Sequence, residues 1–229
     1  MADKDMNFPD HGDYINIHTH GGKSSPGIFI VESLMAHEGL QPLDIPGTVF
    51  SYGIHPWFLN EGNSGEMLNR VRDNSGFSSV VALGEAGFDK LRGPSPDLQY
   101  KIFSEQVKIA EALSKPVFIH CVRAWDELLV AHKNLRPKNK WIIHGFRGSR
   151  ELAAQLISKG FYLSFWFDFI IRPESSDLIR SLPVNRIFLE TDGADIDLRK
   201  IYDKVAADLG IPVEELIRII HGNFYLVFK

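Results

Sequence analysis

The chain has 229 residues, of which 44% are hydrophobic and 24% charged, the balance of an ordinary folded protein with a sizeable core. Its formal net charge of -4 provides no overall attraction to nucleic acid or to an anionic membrane. A polyanionic substrate must therefore be held locally, by a metal ion or a few arginines. The single cysteine, Cys121, excludes an internal disulfide.

The N-terminal stretch MADKDMNFPDHGDY is acidic and polar and lacks the apolar segment of a signal peptide. No apolar run reaches the roughly 18 residues that a membrane span needs. We therefore expect a cytoplasmic protein with no membrane contact. We also expect a monomer rather than an oligomer.

Eight short runs rich in β-branched and aromatic residues have the pattern of strands: YINIH, GIFIV, TVFSYGI, SSVVALGE, PVFIH, KWIIH, FYLSFWF and RIFLET. Amphipathic segments follow most of them. The clearest predicted helix, PDLQYKIFSEQVKIAEALSK, carries an apolar stripe and has Pro116 after its end. The other predicted helices are GEMLNRVRDN, AWDELLVAHKNL, SRELAAQLISKG, SSDLIRSL, LRKIYDKVAADLG and PVEELIRIIHGNFYLVF.

Alternation of strands and helices predicts a parallel sheet, and this many units predict a distorted TIM-type (β/α) barrel spanning residues 1–229 as a single domain. A doubly wound open sheet is the alternative. The first unit breaks the pattern, because only GGKSSPG separates the first two strands. A parallel crossover ordinarily takes a dozen or more residues. We expect a degenerate first βα unit, with GIFIV antiparallel to the first strand or displaced from it.

Ionisable residues stand at the C-terminal ends of the predicted strands, the ends that share one rim in a parallel barrel and carry active sites there. Singly, each has an ordinary explanation, as a hydrogen-bonded histidine or a helix-capping carboxylate. Together they would be costly to desolvate without a compensating cation. The set is His18, His20, His55, Glu85, His120, His144, Glu190 and Asp192.

Histidine nitrogens combined with carboxylate oxygens suit Zn, Mn, Co or Fe, with Mg possible where carboxylates and water dominate. The set is too large for one four-coordinate zinc and suits two ions that share a carboxylate. Such ions polarise a phosphoryl or carbonyl oxygen and activate water, so hydrolysis is favoured over redox chemistry. Cys121 faces away from His120 on the same strand, which predicts a core residue rather than a nucleophile.

An ordered series of motifs, HTH, GIHP, GEAGFD, FSEQ, KPVFIHC, HGFRGS, YLSF, LETD and EELIRIIHGNFYLVF, resembles the TatD family of metal-dependent hydrolases within the amidohydrolase-like barrels. The resemblance runs from about His18 to the C-terminus. It implies phosphodiester hydrolysis, typically of DNA, by two divalent ions, Zn, Mn or Mg. It also implies one ion on His18, His20 and Asp192, a bridging Glu85, and a second ion completed by His120 and His144.

The same resemblance implies that His55 lines the pocket near the scissile group and that Glu190 gives general acid or base help, so the predicted catalytic residues are Glu190, Asp192 and His55. The chain also departs from the family pattern. Trp57 stands where the family often has a second histidine, and could stack on a base or sugar. Where the family commonly has an arginine, this chain has Val122, and Arg123 follows it. Arg147 stands where the family usually has a serine. Each arginine either holds a phosphate bidentately or is a solvated loop residue.

The favoured partner is DNA or another phosphodiester, held locally at the metal centre. Two alternatives remain open. The same ions could serve an amide or ester hydrolase, for example an aminoacyl-tRNA deacylase, because they polarise a carbonyl as well as a phosphoryl oxygen. The chain could also be a non-catalytic, metal-binding barrel.

Overall fold

Eight strands pair in one sheet in the order of the sequence, β1 to β8, in a computed structural model that describes residues 8–22 and 24–229. The first seven residues of the acidic N-terminal stretch, and Lys23 in the GGKSSPG link, lie outside the described residues. All eight predicted strands are confirmed. They are β1 Tyr14–Thr19, β2 Ile28–Met35, β3 Thr48–Gly53, β4 Val80–Asp89, β5 Val117–Val122, β6 Trp141–Ile143, β7 Tyr162–Trp166 and β8 Ile187–Glu190.

The predicted helices are also present. Three short helical segments were not predicted: an α-helix directly after β7, and 3-10 helices at Pro56–Phe58 and Val184–Arg186. The longest, α2, begins where the Ser95 side chain accepts the Leu98 N–H and ends at Ser114 in the left-handed conformation. No helix among the described residues is long and apolar enough to span a membrane. The helices are α1 Ser64–Asn74, α2 Pro96–Leu113, α3 Trp125–Leu135, α4 Arg150–Ser158, α5 Phe167–Ile170, α6 Pro173–Ser181, α7 Leu198–Leu209 and α8 Val213–Phe228.

The first βα unit is degenerate, as predicted, but the prediction that its second strand is antiparallel or displaced is wrong. Strands β1 and β2 pair in parallel, with Tyr14 opposite Ile28 and Ile15 opposite Phe29. The return from the end of β1 uses only residues 20–27, whose described part contains no helix. A six-residue strand spans about 20 Å and eight extended residues reach about 27 Å, so an extended link suffices for a parallel return.

The chain divides into two compact units. The first comprises Met1–Glu32, Asp44–Val49 and Gly145–Lys229, and the second comprises Ser33–Leu43 and Phe50–His144. The expectation of a single domain over residues 1–229 stays a prediction.

In the first unit, side chains join β1 to β8, the two ends of the strand order. The buried Tyr202 hydroxyl of α7 donates to the Ile15 carbonyl at 2.9 Å and accepts the Ile15 N–H at 3.1 Å. Asn16 accepts the Thr191 N–H at 3.0 Å and donates to the Thr191 hydroxyl at 2.8 Å. These hydrogen bonds fix the first strand to α7 and to the residue that follows the last strand.

In the second unit, β4 and β5 approach closely because β4 carries glycines at the contact. Gly87 has φ of +151°, and a Cβ there would overlap the His120 carbonyl oxygen. Gly84 has φ of +116° and lies against the Phe118 carbonyl in the same way. Larger residues would push β5, and the ligand candidate His120 with it, away from β4.

Candidate metal sites

The first ligand group lies in the first unit and consists of His18, His20 and Asp192. The Asp192 Oδ1 atom is 3.8 Å from His18 Nε2 and 3.7 Å from His20 Nε2, and one donor atom from each residue lies within 4.8 Å of the others. His18 is fully buried, whereas His20 and Asp192 are partly exposed. Two imidazole nitrogens and a carboxylate oxygen are a donor set that suits a divalent transition metal.

The backbone around this group holds its members in place. Asp192 follows β8 with φ of +51°, and its N–H donates to the His18 carbonyl at 3.2 Å. The two residues that follow His20 are held by Glu32, whose carboxylate accepts the Gly21 N–H at 2.5 Å and the Gly22 N–H at 2.9 Å. Burial raises the pKa of Glu32, although these amides and the nearby histidines oppose the rise. The sequence analysis missed Glu32, because its partners are backbone amides.

The second ligand group lies in the second unit and centres on the buried Glu85. Its Oε1 atom lies 2.6 Å from His144 Nε2 and 3.3 Å from His120 Nδ1, and those two nitrogens are 3.4 Å apart. Donors bound to one ion at about 2.1 Å are separated by about 3.4 Å when tetrahedral. The two distances from His120 Nδ1 match this spacing, whereas Glu85 and His144 lie closer together, at hydrogen-bond length.

His55 also lies within ligand distance of this group, with its Nε2 3.4 Å from Glu85 Oε1 and 3.2 Å from His120 Nδ1. Its other nitrogen, Nδ1, accepts the Trp57 N–H at 3.1 Å. Burial lowers the pKa of His55 to about 4, against the opposing effect of Glu85, so the ring is neutral at neutral pH. A neutral ring that accepts at Nδ1 carries its hydrogen on Nε2 and offers no lone pair there. In that tautomer His55 donates a hydrogen bond to this group, and its position beside Glu85 and His120 would also allow it to serve as a ligand.

Asp89 contacts His120 at Nε2, the ring nitrogen that does not face Glu85. It was not among the predicted site residues. Its Oδ2 atom lies 3.2 Å from His120 Nε2 and 2.5 Å from Trp57 Nε1. Burial would raise the pKa of Asp89, but its hydrogen bonds outweigh burial and the pKa is lowered. Asp89 stands four positions after Glu85 on β4, an even spacing that places both on one face. That spacing is the signal that could have identified it.

Two glutamines of α2 hold the backbone next to these side chains. Gln106 accepts the Ile54 N–H at 2.7 Å and donates to the Ile54 carbonyl at 3.3 Å, directly before His55. Gln99 accepts the Asp89 N–H at 2.8 Å and donates to the Asp89 carbonyl at 3.0 Å. The glutamines are seven residues apart and so share one helix face. Helix α2 thereby anchors the ends of two strands that carry site residues.

Glu190, the predicted acid or base, is fully buried at the end of β8. Its Oε1 accepts the Gly145 N–H at 2.8 Å, a bond within the first unit. Gly145 has φ of +56°, which aims this N–H without steric cost. The carboxylate is thus oriented by the backbone directly after β6.

Of the predicted substrate-binding residues, His55 is buried, whereas Trp57, Arg123 and Arg147 are exposed. Trp57 is 39% exposed, and the Arg92 guanidinium lies 4.3 Å over its ring. Arg147 lies 4.3 Å over the Trp166 ring and 3.3 Å from Asp168. Arg123 is exposed at the end of β5 with φ of +51°.

Cys121 has the character of a packed residue. Burial raises the pKa of its thiol to about 12. The thiolate, which is the nucleophilic form, is therefore scarce at neutral pH. Among the histidines left outside the site, His221 is buried, with its Nε2 2.9 Å from the Asp13 carbonyl.

Comparison with known proteins identifies related sequences and a matching family. The family model described as TatD related DNase matches residues 42–229. The uncharacterized metal-dependent hydrolase YcfH of Escherichia coli strain K12 is 31% identical over 198 residues, covering 79% of this chain and 73% of the relative. The 3'-5' ssDNA/RNA exonuclease TatD of Erwinia tasmaniensis is 33% identical over 145 residues, covering 61% of this chain and 56% of the relative.

Solved structures share the fold. The crystal structure of the TatD homologue YjjV from Escherichia coli K12 superposes with a TM-score of 0.75 at 22% identity, covering 94% of this chain and 97% of that one. A TatD family hydrolase from Entamoeba histolytica gives the same TM-score at 18% identity, covering 94% and 98%. These likenesses confirm the TIM-type α/β barrel and exclude the open-sheet alternative. With the family match and the relatives above, the chain belongs to the TatD family of metal-dependent hydrolases.

Proposed function

We propose that this chain is a nuclease that hydrolyses phosphodiester bonds of DNA with two divalent ions, Zn, Mn or Mg, one at each ligand group. The observation that carries the proposal is the spacing of the donor atoms. Glu85, His120 and His144 bring three donor atoms within 3.4 Å of one another, close enough to converge on one ion. The first group, His18, His20 and Asp192, supplies a similar donor set. The bridging role of Glu85 stays a prediction.

The nucleic-acid substrate is supported by the relative from Erwinia tasmaniensis, which is named as an exonuclease of single-stranded DNA and RNA. It agrees with the donor chemistry, because bound divalent ions polarise phosphoryl oxygens and lower the pKa of water. The net charge of -4 requires that a polyanion be held at the site itself rather than by a basic surface.

The chain's own side chains divide the remaining work. His55 presents an Nε2–H, which we propose donates to a phosphate oxygen near the scissile bond. Glu190 is a buried carboxylate whose direction is set by the Gly145 N–H, and we propose that it accepts a proton from the attacking water. Asp192 is the third proposed catalytic residue, through its place in the first ligand group.

Substrate contacts outside the ligand groups are proposed for Trp57, Arg123 and Arg147. The exposed edge of Trp57 offers an aromatic surface for a base or sugar. Arg147 is already paired with Asp168, so a bound phosphate would share or replace that partner. Arg123 has the exposure that contact with a phosphate requires.

The test measures nucleotide release from single-stranded DNA in the presence of Mg, Mn or Zn. We expect metal-dependent release by the wild type and a loss of at least about a hundredfold in Asp192→Asn and Glu190→Gln. Asp177→Asn, at an exposed position of α6, is the matched control and should be unaffected. Absence of metal-dependent release, or full activity of Asp192→Asn, would refute the proposal. Turnover of aminoacyl-tRNA without DNA cleavage would identify an ester hydrolase instead.

We also propose that the protein acts as a monomer in the cytoplasm. The single cysteine suits a reducing compartment, where disulfides are rare. Sedimentation of the purified protein and fractionation of cells test the two statements separately. A stable dimer or a secreted product would contradict them.

A further inference from the structure

We propose that Asp89 is a positioning residue that fixes the tautomer of His120 and so directs its Nδ1 toward the ion of the second ligand group. The inference rests on the proposed function, because it concerns the ion that this group would hold. The two ring nitrogens of His120 face different surroundings. Nε2 lies 3.2 Å from Asp89 Oδ2, whereas Nδ1 lies 3.3 Å from Glu85 Oε1 and 3.4 Å from His144 Nε2.

The tautomer follows from the donors and acceptors around the ring. An ionised carboxylate only accepts hydrogen bonds, so the His120 nitrogen that faces Asp89 must carry the hydrogen. Nδ1, beside Glu85 and His144, is then the nitrogen that can offer a lone pair to an ion. His55 supports the same assignment, because its Nε2–H points toward His120 Nδ1 at 3.2 Å. A carboxylate behind a ligating histidine fixes ring orientation and raises ligand basicity.

Asp89 itself is held so that it can only act as an acceptor. Its Oδ2 accepts from Trp57 Nε1 at 2.5 Å, and its Oδ1 accepts the Leu91 N–H at 2.7 Å and the Arg92 N–H at 3.0 Å. Both oxygens therefore face donors, and the carboxylate cannot turn without losing at least one hydrogen bond. The side chain is almost completely buried, which strengthens these bonds.

Trp57 has a corresponding role through Asp89. Its indole N–H occupies the same carboxylate oxygen as His120 Nε2. The ring is also held by the Arg92 guanidinium, 4.3 Å over its centre. Trp57 is therefore a second positioning residue, one step further from the ion than Asp89.

The central test compares Asp89→Asn with the wild type in two measurements. The asparagine carboxamide has two orientations. Its NH₂ group replaces either the oxygen that faces Trp57 and His120 or the oxygen that faces the backbone amides of Leu91 and Arg92, and in both cases it meets other donors. We expect the apparent affinity for Zn or Mn, measured by chelator competition, to fall about 10- to 100-fold. In the metal-free protein, ¹⁵N spectra of labelled histidines should show the His120 signal, identified by its absence in His120→Gln, moving toward the Nδ1–H tautomer.

Two further variants make the test specific. Asp126→Asn, at an exposed position of α3 in the same unit, makes the same charge change and should leave both readouts unchanged. Trp57→Phe removes one hydrogen bond and should weaken metal binding roughly fivefold. It decides the question if Asp89→Asn does not fold.

The outcomes separate the inference from the proposed function. Unchanged metal affinity and an unchanged His120 tautomer in Asp89→Asn would overturn the inference. If that variant is unfolded, an unchanged metal affinity in Trp57→Phe would overturn it. A wild type that binds no divalent ion would refute the proposed function. In that case the spectra of the metal-free protein still decide whether Asp89 sets the tautomer.

Discussion

Replacing Tyr202 by phenylalanine tests how α7 is joined to β1, the first strand of the sheet. The hydroxyl is completely buried and is both donor and acceptor to one residue, Ile15 of β1. The substitution keeps the aromatic ring and removes both hydrogen bonds. The Ile15 N–H and carbonyl, which point away from β2, then lose their partner inside the protein.

The expected cost follows from these two groups. Each buried polar group left without a partner costs about 1 to 3 kcal/mol, so the two groups exposed by Tyr202→Phe should lower the free energy of unfolding by about 2 to 6 kcal/mol. For a chain of this size the urea m-value is about 2 to 3 kcal/mol/M, so the unfolding midpoint should fall by about 1 to 3 M.

Urea unfolding followed by circular dichroism measures the effect. Tyr100→Phe is the matched control, because it removes a partly exposed hydroxyl that makes only a long contact with Asn134 at 3.4 Å. It should change the free energy of unfolding by less than about 0.5 kcal/mol. If Tyr202→Phe were as stable as Tyr100→Phe, the hydroxyl would not be a main link between α7 and β1.

Three other predictions concern the second unit. Burial lowers the pKa of His55 from 6.5 to about 4. The stability that the neutral ring contributes is therefore complete above pH 6.5 and is lost as the pH falls from 6.5 toward 4, by up to about 1.4 kcal/mol per pH unit. Urea titrations of the metal-free protein between about pH 7 and pH 4 should show a steeper loss for the wild type than for His55→Gln, and equal slopes would contradict the assignment. Gly87→Ala should lower the free energy of unfolding by about 2 to 4 kcal/mol, because its Cβ would overlap the His120 carbonyl oxygen. Gly65→Ala, which has open space around it, should be neutral or stabilising. A well-tolerated Gly87→Ala would show that β5 can move away from β4. Gln106→Leu should cost about 2 to 6 kcal/mol, because it leaves the Ile54 N–H and carbonyl unpaired. Thermal unfolding would detect this loss, and an unchanged midpoint would contradict the prediction.

The helices and strands were predictable because their signals are local. The apolar stripe of α2, the serine before Pro96 and the proline after its last residues define that helix from the sequence alone. The strand runs end in polar residues, and parallel pairing places those ends together, so the histidine and carboxylate candidates could be named before the fold was known.

The pairing of β2 was wrongly predicted because the expectation assumed a helical crossover. That expectation holds where the connection must cross a face of the sheet with a packed helix. Here the strand before the link has only six residues, so extended chain reaches back to its start. The length of the preceding strand, rather than the length of the link alone, decides whether a parallel return is possible.

Hydrogen-bond partners within the site were the least predictable part. Asp89 lies in the quoted motif GEAGFD, yet its contact with His120 depends on the alignment of β4 with β5, where Asp89 is opposite Val122. Gln99 and Gln106 read as helix positions with no chemical assignment, because their partners are backbone groups of other elements. The tautomer of His55 likewise follows from a backbone N–H that no residue pattern encodes.

The metal content of the purified protein tests the central claim most directly. After loading and dialysis, we expect about two divalent ions per chain in the wild type, because each ligand group should hold one. His20→Asn alters only the first group and His120→Asn only the second, so each variant should retain about one ion. A wild type without bound ions, or a wild type and both variants with the same ion content, would contradict the assignment of the two ligand groups.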